Sequence, residues 1–265
     1  AEFNPIILLE RISYEKMLEL EKNNAFITRL KAVEERFRKY MDSATYSSPL
    51  IAYFSMEYGL HDSLKIYSGG LGLLAGDYLK EASDYNTNII GVGLLYHYGY
   101  FRQDMAASGD QISVNEALVY SKLPLSPVLD ESGKWIKITI ILPGRDLKAR
   151  IWRVDVGRVK LFLLDTDFEE NMEQDRSVTH QLYGGDNENR FKQELLLGIG
   201  GIRAMRAMGI ETDIYHCNEG HAAFIGLERL REYIESENMT FPEALELVRS
   251  SNLFTTHTPV PAGHD

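Results

Sequence analysis

Short apolar runs recur along the chain, too brief for helices, and each is followed by a turn and an amphipathic stretch. LIAYFSM (50–56), NIIGVGLLY (88–96), DIYHC (213–217) and NLFTTH (252–257) are rich in strand formers. Between them apolar residues recur at helical spacing: from about Leu71 to Tyr85, through FKQELLLGIGGIRAMRAMG and FPEALELVRSS, and through NEGHAAFIGLERLREYI with Ala223, Leu227, Leu230 and Ile234 on one face. Apolar strands alternating with helices imply a mostly parallel sheet covered on both faces, which is an α/β fold.

Two regions depart from this alternation. From Ile6 to Met41 the pattern is helical, with Phe26, Leu30, Val33 and Phe37 at i, i+4, i+7 and i+11, up to a Ser-Ser-Pro break at 47–49. Residues 1–48 therefore read as an N-terminal helical segment, and 49–265 as the α/β unit. From about 115 to 167, WIKITIIL, LKARIWRVDV and VKLFLLD are separated by turn signals at Ser132-Gly133 and Pro143-Gly144, which predicts an antiparallel β insertion beside the main sheet. Gly198, Gly200 and Gly201 fall inside one helical pattern. Each costs roughly 0.5–1 kcal/mol relative to alanine there, so that helix is expected to press against another backbone. Gly209 should stop it, and Asn218 is expected to cap the next.

Composition excludes several partners. The 39 acidic residues against 28 basic give a net charge of −11, which argues against nucleic acid or an anionic membrane and suits a neutral ligand such as a sugar polymer. Cys217 stands alone, so no intrachain disulfide can form. There is no run of about 18 apolar residues and no basic n-region at the start, so the expectation is a cytoplasmic protein. Ala-Glu-Phe at one end, and a stop in the loop after NLFTTH at the other, read as cuts in a longer chain.

Four clusters carry possible chemistry. Ser68-Gly69-Gly70-Leu71-Gly72 joins a strand to a helix; glycines let a ligand approach the backbone, and a helix N-terminus offers N–H groups suited to phosphate. The same residues could form a tight turn and nothing more. The GxGxxG and GK[ST] spacings are absent, so neither a dinucleotide nor a nucleoside triphosphate is indicated. In HCNEGH, Asn218, Glu219 and His221 stand at the carboxyl end of a strand, where α/β sheets bind ligands, or they merely cap and pack. His257 follows the strand LFTT, ahead of two stiffening prolines, and can bond a sugar hydroxyl or stand idle in its loop. YGGDNENRFKQE sets Asp186, Asn187, Arg190 and Lys192 before the glycine-bearing helix, as hydroxyl partners or as a solvated face. Glu57, at a strand end, is a buried functional acid or an edge charge. The spacing of His216, His221, His257 and His264 matches no zinc pattern, and no metal site is expected.

Together FSMEYGL, YSGGLGLLAGDYLKEAS, GLLYHYGYFRQ, DNENRFKQE, NEGHAAF and FTTHTPVPAGHD, in this order, resemble the α-glucan phosphorylases, in wording nearest the shorter bacterial type, from about Leu50 to Asp265. The resemblance implies the Rossmann-like N-terminal domain of a glycosyltransferase-B enzyme, which uses inorganic phosphate to release glucose 1-phosphate from an α-1,4-glucan. It implies pyridoxal phosphate as cofactor, held by a lysine in a domain outside this chain, and a homodimer when full length. By the same resemblance His257, Gly70 and Leu71 would be catalytic, and Gly69, Gly70 and Glu57 would face the cofactor. Asp186, Asn187, Arg190, Glu219 and His221 would bind substrate. Ser68 stands where the animal enzymes have Asn, and Gly59 where they have an aromatic. Glu219-Gly220-His221-Ala222 replaces their Asp-Thr-His-Pro. Two other readings are a glycogen or starch synthase, disfavoured because the lysine expected just before its Gly-Gly-Leu turn is missing, and a non-catalytic glucan-binding module.

Overall fold

The computed structural model describes residues 4–43 and 48–257. It opens with three helices: α1 (Pro5–Arg11), α2 (Tyr14–Glu21) and α3 (Asn24–Asp42). The helical pattern expected from Ile6 to Met41 is present as three helices, and the breaks between them fall where Ser13 and Asn23 accept the N–H groups of Lys16 and Phe26 as N-caps. The stripe Phe26, Leu30, Val33 and Phe37 lies on α3 but is 39–58% exposed, and α3 buries no residue. Its C-terminal turn attaches it to the body. The Tyr40 hydroxyl bonds Ser83 and Asp84, and the Arg158 guanidinium lies 3.8 Å from the Tyr40 ring.

The rest of the chain runs β1 (Ile51–Phe54), α4 (Gly70–Asp84), β2 (Ile89–Leu94), β3 (Arg102–Met105), β4 (Gln111–Val114), β5 (Ser126–Pro127), β6 (Lys137–Leu142), β7 (Arg145–Val156), β8 (Val159–Asp165), α5 (Glu173–Arg176), α6 (Asn187–Leu195), α7 (Gly201–Ala207), β9 (Ile214–Asn218), α8 (Phe224–Ser236), α9 (Phe241–Ser251) and β10 (Asn252–Thr255). The main sheet has the order β10-β9-β1-β2-β8-β7-β5, with β6 also on β7. Strands β10, β9, β1, β2 and β8 are mutually parallel. The antiparallel strands expected over 115–167 are present but do not lie beside the sheet. β8 pairs parallel with β2 and antiparallel with β7, so they extend the sheet itself. β3 and β4 form a separate small hairpin.

Close backbone approaches hold the layers together. The helical run from α6 to α7 passes through a π-turn at Leu196–Gly200, and a methyl group on Gly198 would lie 2.6 Å from Phe224 Cβ and 2.9 Å from the Ile225 nitrogen. The expected contact with another backbone is therefore with the start of α8. Gly209 ends the run in left-handed conformation (φ +68°), with Ile210 N–H on the Met205 carbonyl. On α8 the expected apolar face is not the buried one: Leu227 is 57% and Ile234 38% exposed, while Ile225, Glu228 and Arg229 face inward. Each inward charge has partners, ionic for Glu228 and neutral for Arg229. Glu228 binds Arg203 and Arg231, and Arg229 lies 3.8 Å from the Tyr215 ring and bonds Asn252 and Ser251. Helix α4 crosses the segment after β1 so closely that a methyl group on Gly76 would sit 2.1 Å from the Gly59 carbonyl oxygen. Gly76→Ala should therefore lower the unfolding free energy by about 1–3 kcal/mol or more; an unchanged urea midpoint would contradict this packing.

Candidate functional site

The chain builds the sheet outward from β1 through β2 to β8 and then returns to place β9 on the opposite side of β1. That reversal is a topological switch point, and in open α/β sheets the crevice beyond the carboxyl ends of the two strands is where ligands bind. The segments leaving β1, β9 and β10 carry Glu57, Asn218–His221 and His257 respectively, and the 181–186 loop and the N-terminus of α4 close around them.

Glu57 organises the first part. It is 3% exposed, and its Oε2 accepts the N–H groups of Ser68 (2.7 Å) and Gly69 (3.3 Å) and the Ser68 hydroxyl (3.3 Å). Its Oε1 accepts the Tyr183 hydroxyl at 2.8 Å. The carboxylate thereby ties the turn before α4 to the 181–186 loop. A methyl group on Gly72 would come within 2.7 Å of Glu57 Oε2 and 2.5 Å of Tyr67 Cβ, so this glycine answers to the carboxylate. Gly69 and Gly70 are different. A methyl group on either meets nothing within 4 Å, neither has positive φ, and no side chain caps α4. Among the described residues, packing does not require glycine at either position, and Gly70 is exposed whereas Gly72 is buried.

The second part is a hydrogen-bond relay with a fixed polarity. The Ser55 hydroxyl donates to the Glu57 carbonyl (2.9 Å), so its oxygen accepts from Asn218 Nδ2 (3.1 Å). Asn218 Oδ1 then faces His257 Nε2 at 2.7 Å, which makes Nε2–H the donor and leaves Nδ1 as an acceptor in the neutral ring. The side chain of Asn218 is thus spent on this relay. The expected cap is not formed: Asn218 ends β9, and α8 starts at Phe224 with no side-chain cap. Glu219 adopts φ +64° and accepts the His257 backbone N–H, so the β9 and β10 ends are joined twice.

The third part surrounds His221. Among the described residues neither of its ring nitrogens has a hydrogen-bond partner, and Tyr183 packs edge-on against it at 5.6 Å. Burial first, then the Arg190 charge, hold its pKa below the ordinary 6.5. The Arg190 guanidinium lies 5.6 Å from the Tyr183 ring, with a buried Nε that also lacks a partner. Asp186 caps α6 by accepting the Asn189 N–H at 2.9 Å, and Lys192 pairs with Glu188. Asn187, Arg190, Phe191 and Glu194 line a depression of about 480 Å³, where burial raises the pKa of Glu194. A larger cavity of about 770 Å³ lies on the α4 side of His257, bounded by Tyr53, Leu74, Tyr78 and His216.

Glu57, Gly69, Gly70, Glu219, His221, Arg190 and His257 are thus arranged around one switch point, with Asp186 and Asn187 at the start of α6. Ser55 and Tyr183 were not singled out from the sequence. Ser55 lies inside an apolar run, and the partner of Tyr183 is 126 residues away. His264 lies outside the described residues.

The lowered pKa of His221 has a definite sign in stability. The unfolded histidine, near 6.5, takes up a proton that the folded one resists, so stability falls as pH drops below about 6.5. His216, lowered by burial and by His257, acts in the same direction. His221→Gln should flatten the loss of stability between about pH 7.5 and 5, measured by urea denaturation at both; a parallel loss in wild type and variant would contradict the burial of that ring.

The family described as "Protein of unknown function (DUF3417)" matches residues 1–64, which include the three N-terminal helices, β1 and Glu57. The maltodextrin phosphorylase of Thermococcus litoralis is 45% identical over 99% of the chain, and the glycogen phosphorylase of Mycobacterium tuberculosis is 43% identical over 99%. The glycogen phosphorylase of Aquifex aeolicus is 38% identical over 97%. The chain covers 32%, 33% and 37% of these proteins, and so spans about a third of the length of the curated relatives it matches. Among the described residues no helix is long and apolar enough to cross a membrane, and no group of three His, Cys, Asp or Glu is placed to hold a metal. At 38–45% identity across nearly all of its residues, the chain is a relative of the maltodextrin and glycogen phosphorylases, matching the N-terminal third of those longer proteins.

Proposed function

We propose that the chain is the glucan-binding, N-terminal part of an α-1,4-glucan phosphorylase, which transfers the terminal glucose of glycogen or maltodextrin to inorganic phosphate and releases glucose 1-phosphate. The observation that carries this reading is the turn at Gly69-Gly70. Among the described residues its glycines are not demanded by packing, Gly70 is exposed, and no side chain caps the 15-residue helix α4. Backbone N–H groups and the helix dipole there suit phosphate oxygens. No basic side chain is needed at that point, which accords with a chain of net charge −11.

Each site residue takes a role consistent with its geometry. Gly70 and Leu71 would present N–H groups to phosphate oxygens and to the glucosyl unit. The acceptor nitrogen of His257, oriented by the Asn218–Ser55 relay, would take a hydrogen bond from a sugar hydroxyl. His221, neutral and unpaired, and Arg190, with its unpaired Nε, would bind substrate from the opposite side. Asp186 and Asn187 would border the entrance, and Glu219 would hold the His257 backbone in place.

The reading also implies pyridoxal phosphate, and the residues present fit one edge of it: among the described residues nothing lies within 4 Å of a methyl group placed on Gly69 or Gly70, so no side chain blocks an approach to that backbone. Bound there, the cofactor supplies a phosphate acid/base group beside the substrate phosphate. Both oxygens of Glu57 are engaged within the chain, so Glu57 serves that site by shaping the turn. The same reading takes residues 49–265 as part of the first Rossmann-like domain of a glycosyltransferase-B pair and residues 1–48 as a helical extension. It expects a cytoplasmic homodimer when the protein is whole.

The test is glucose 1-phosphate release from maltoheptaose by the full-length protein, with and without inorganic phosphate. Phosphate-dependent release, lost when pyridoxal phosphate is stripped and reduced about tenfold or more by Gly70→Ala, is the expected result. Glucan elongation from a nucleotide-glucose, with no phosphorolysis, would replace this reading with a synthase. The 265-residue chain by itself should release no glucose 1-phosphate.

A further inference from the structure

Tyr183 occupies a position that no sequence motif explains. It is one of a few non-glycine residues with positive φ (+54°), a backbone region that bulky side chains rarely adopt, and it stands immediately before Gly184 and Gly185. The loop it belongs to is pinned from one side by α6: Gln193 Nε2 donates to the carbonyls of Val178 and Gln181, and Asn189 Nδ2 to that of Gly184. On the other side the Tyr183 hydroxyl crosses to Glu57 Oε1. Glu57 Oε2, the other oxygen of the same planar group, holds the N–H groups of Ser68 and Gly69.

We propose that Tyr183 is a positioning residue that couples the 183–186 loop to the Gly69–Gly72 turn through the two oxygens of the Glu57 carboxylate. A carboxylate moves as one rigid plane. If the loop shifts and Oε1 follows the phenol, Oε2 must leave the Ser68 and Gly69 N–H groups, and the first turn of α4 loses the anchor that aims it. The reverse holds equally: a ligand that draws the turn outward pulls the carboxylate, and the carboxylate pulls the loop. The strained backbone at Tyr183 is where such a link is expected, because it persists only while the surrounding contacts hold it. The edge-on packing of the Tyr183 ring on His221 extends the coupling to the substrate side of the crevice. The inference rests on the proposed phosphate-binding role of the turn for its functional meaning, but the coupling itself is testable without any ligand.

The experiment is residue-resolved amide hydrogen exchange on this chain, ligand-free, for wild type, Tyr183→Phe, Glu57→Gln and the double variant. Phenylalanine keeps the ring against His221 and removes only the hydroxyl. Exchange at Ser68 and Gly69 should rise about tenfold in Tyr183→Phe, while the buried Val92 in β2 reports unchanged global stability. Glu57→Gln should reciprocally speed exchange at Gly184, Gly185 and Asp186, and the double variant should add nothing to the single ones. Wild-type exchange at Ser68 and Gly69 in Tyr183→Phe, or strictly additive effects, would overturn the coupling. If Val92 also speeds up in Tyr183→Phe, the Glu57→Gln effect on Gly184–Asp186 decides. A parallel arm adds inorganic phosphate to wild type; absence of protection at Gly70, Leu71 and Gly72 counts against the phosphate role of the turn and leaves the ligand-free comparison to judge the coupling.

Discussion

The arrangement depends on one buried carboxylate. An anion as enclosed as Glu57, at 3% exposure, is tolerated only if its oxygens are hydrogen-bonded, because stripping it of water without partners costs several kcal/mol. Its partners are two backbone N–H groups at the entry to α4 and one phenol. Those bonds dictate where the segment after β1 turns, why Gly72 carries no side chain, and how close the 181–186 loop comes. They also occupy the N–H groups of Ser68 and Gly69, and of the residues that follow Gly70 is exposed and Gly72 buried.

The sheet topology places this anion where it can matter. Because β9 returns to the far side of β1, the carboxyl ends of β1, β9 and β10 converge, and the Ser55–Asn218–His257 relay stitches the three together. The relay is also directional. One hydroxyl proton, donated to the Glu57 carbonyl, fixes the amide of Asn218 and through it the tautomer of His257. A histidine oriented from behind in this way presents a single defined nitrogen to the crevice. His221, half-buried with neither ring nitrogen bonded among the described residues, and Arg190, with a buried unbonded Nε, both pack against Tyr183, and buried polar atoms of this kind are rarely left without partners.

Much of this was legible in the sequence, and the failures have physical causes. The parallel strands and their helices were marked by period and by turn residues, and α9 was foreseen residue for residue from its Phe-Pro start. The N-terminal pattern reads as helical but does not show where its helices break, because the caps Ser13 and Asn23 are single polar residues within an otherwise helical spacing. On α8, Leu227 and Ile234 suggested the wrong buried face. Periodicity counts apolar residues and cannot see that Arg203 pairs with Glu228 or that Arg229 is received by the Tyr215 ring, Asn252 and Ser251. Sequence alone makes Asn218 a cap by the same logic, since its actual partners lie 163 and 39 residues away. Of the residues named by resemblance, Glu57 meets Gly69 and Glu219 meets His257 directly, while Asp186 and Asn187 stand at the start of α6. Tyr183 and Ser55, which organise them, could not be found that way, because their importance lies in long-range contacts.

The central claim is that the uncapped turn at Gly70–Gly72 is built to receive an oxyanion, and the most direct measurement is anomalous diffraction from crystals of the protein grown with arsenate, a phosphate analogue. The account predicts an arsenic peak with its oxygens about 3 Å from the Gly70, Leu71 and Gly72 nitrogens. Crystals that diffract well and show no anion over that turn, or show it only elsewhere on the surface, would contradict it.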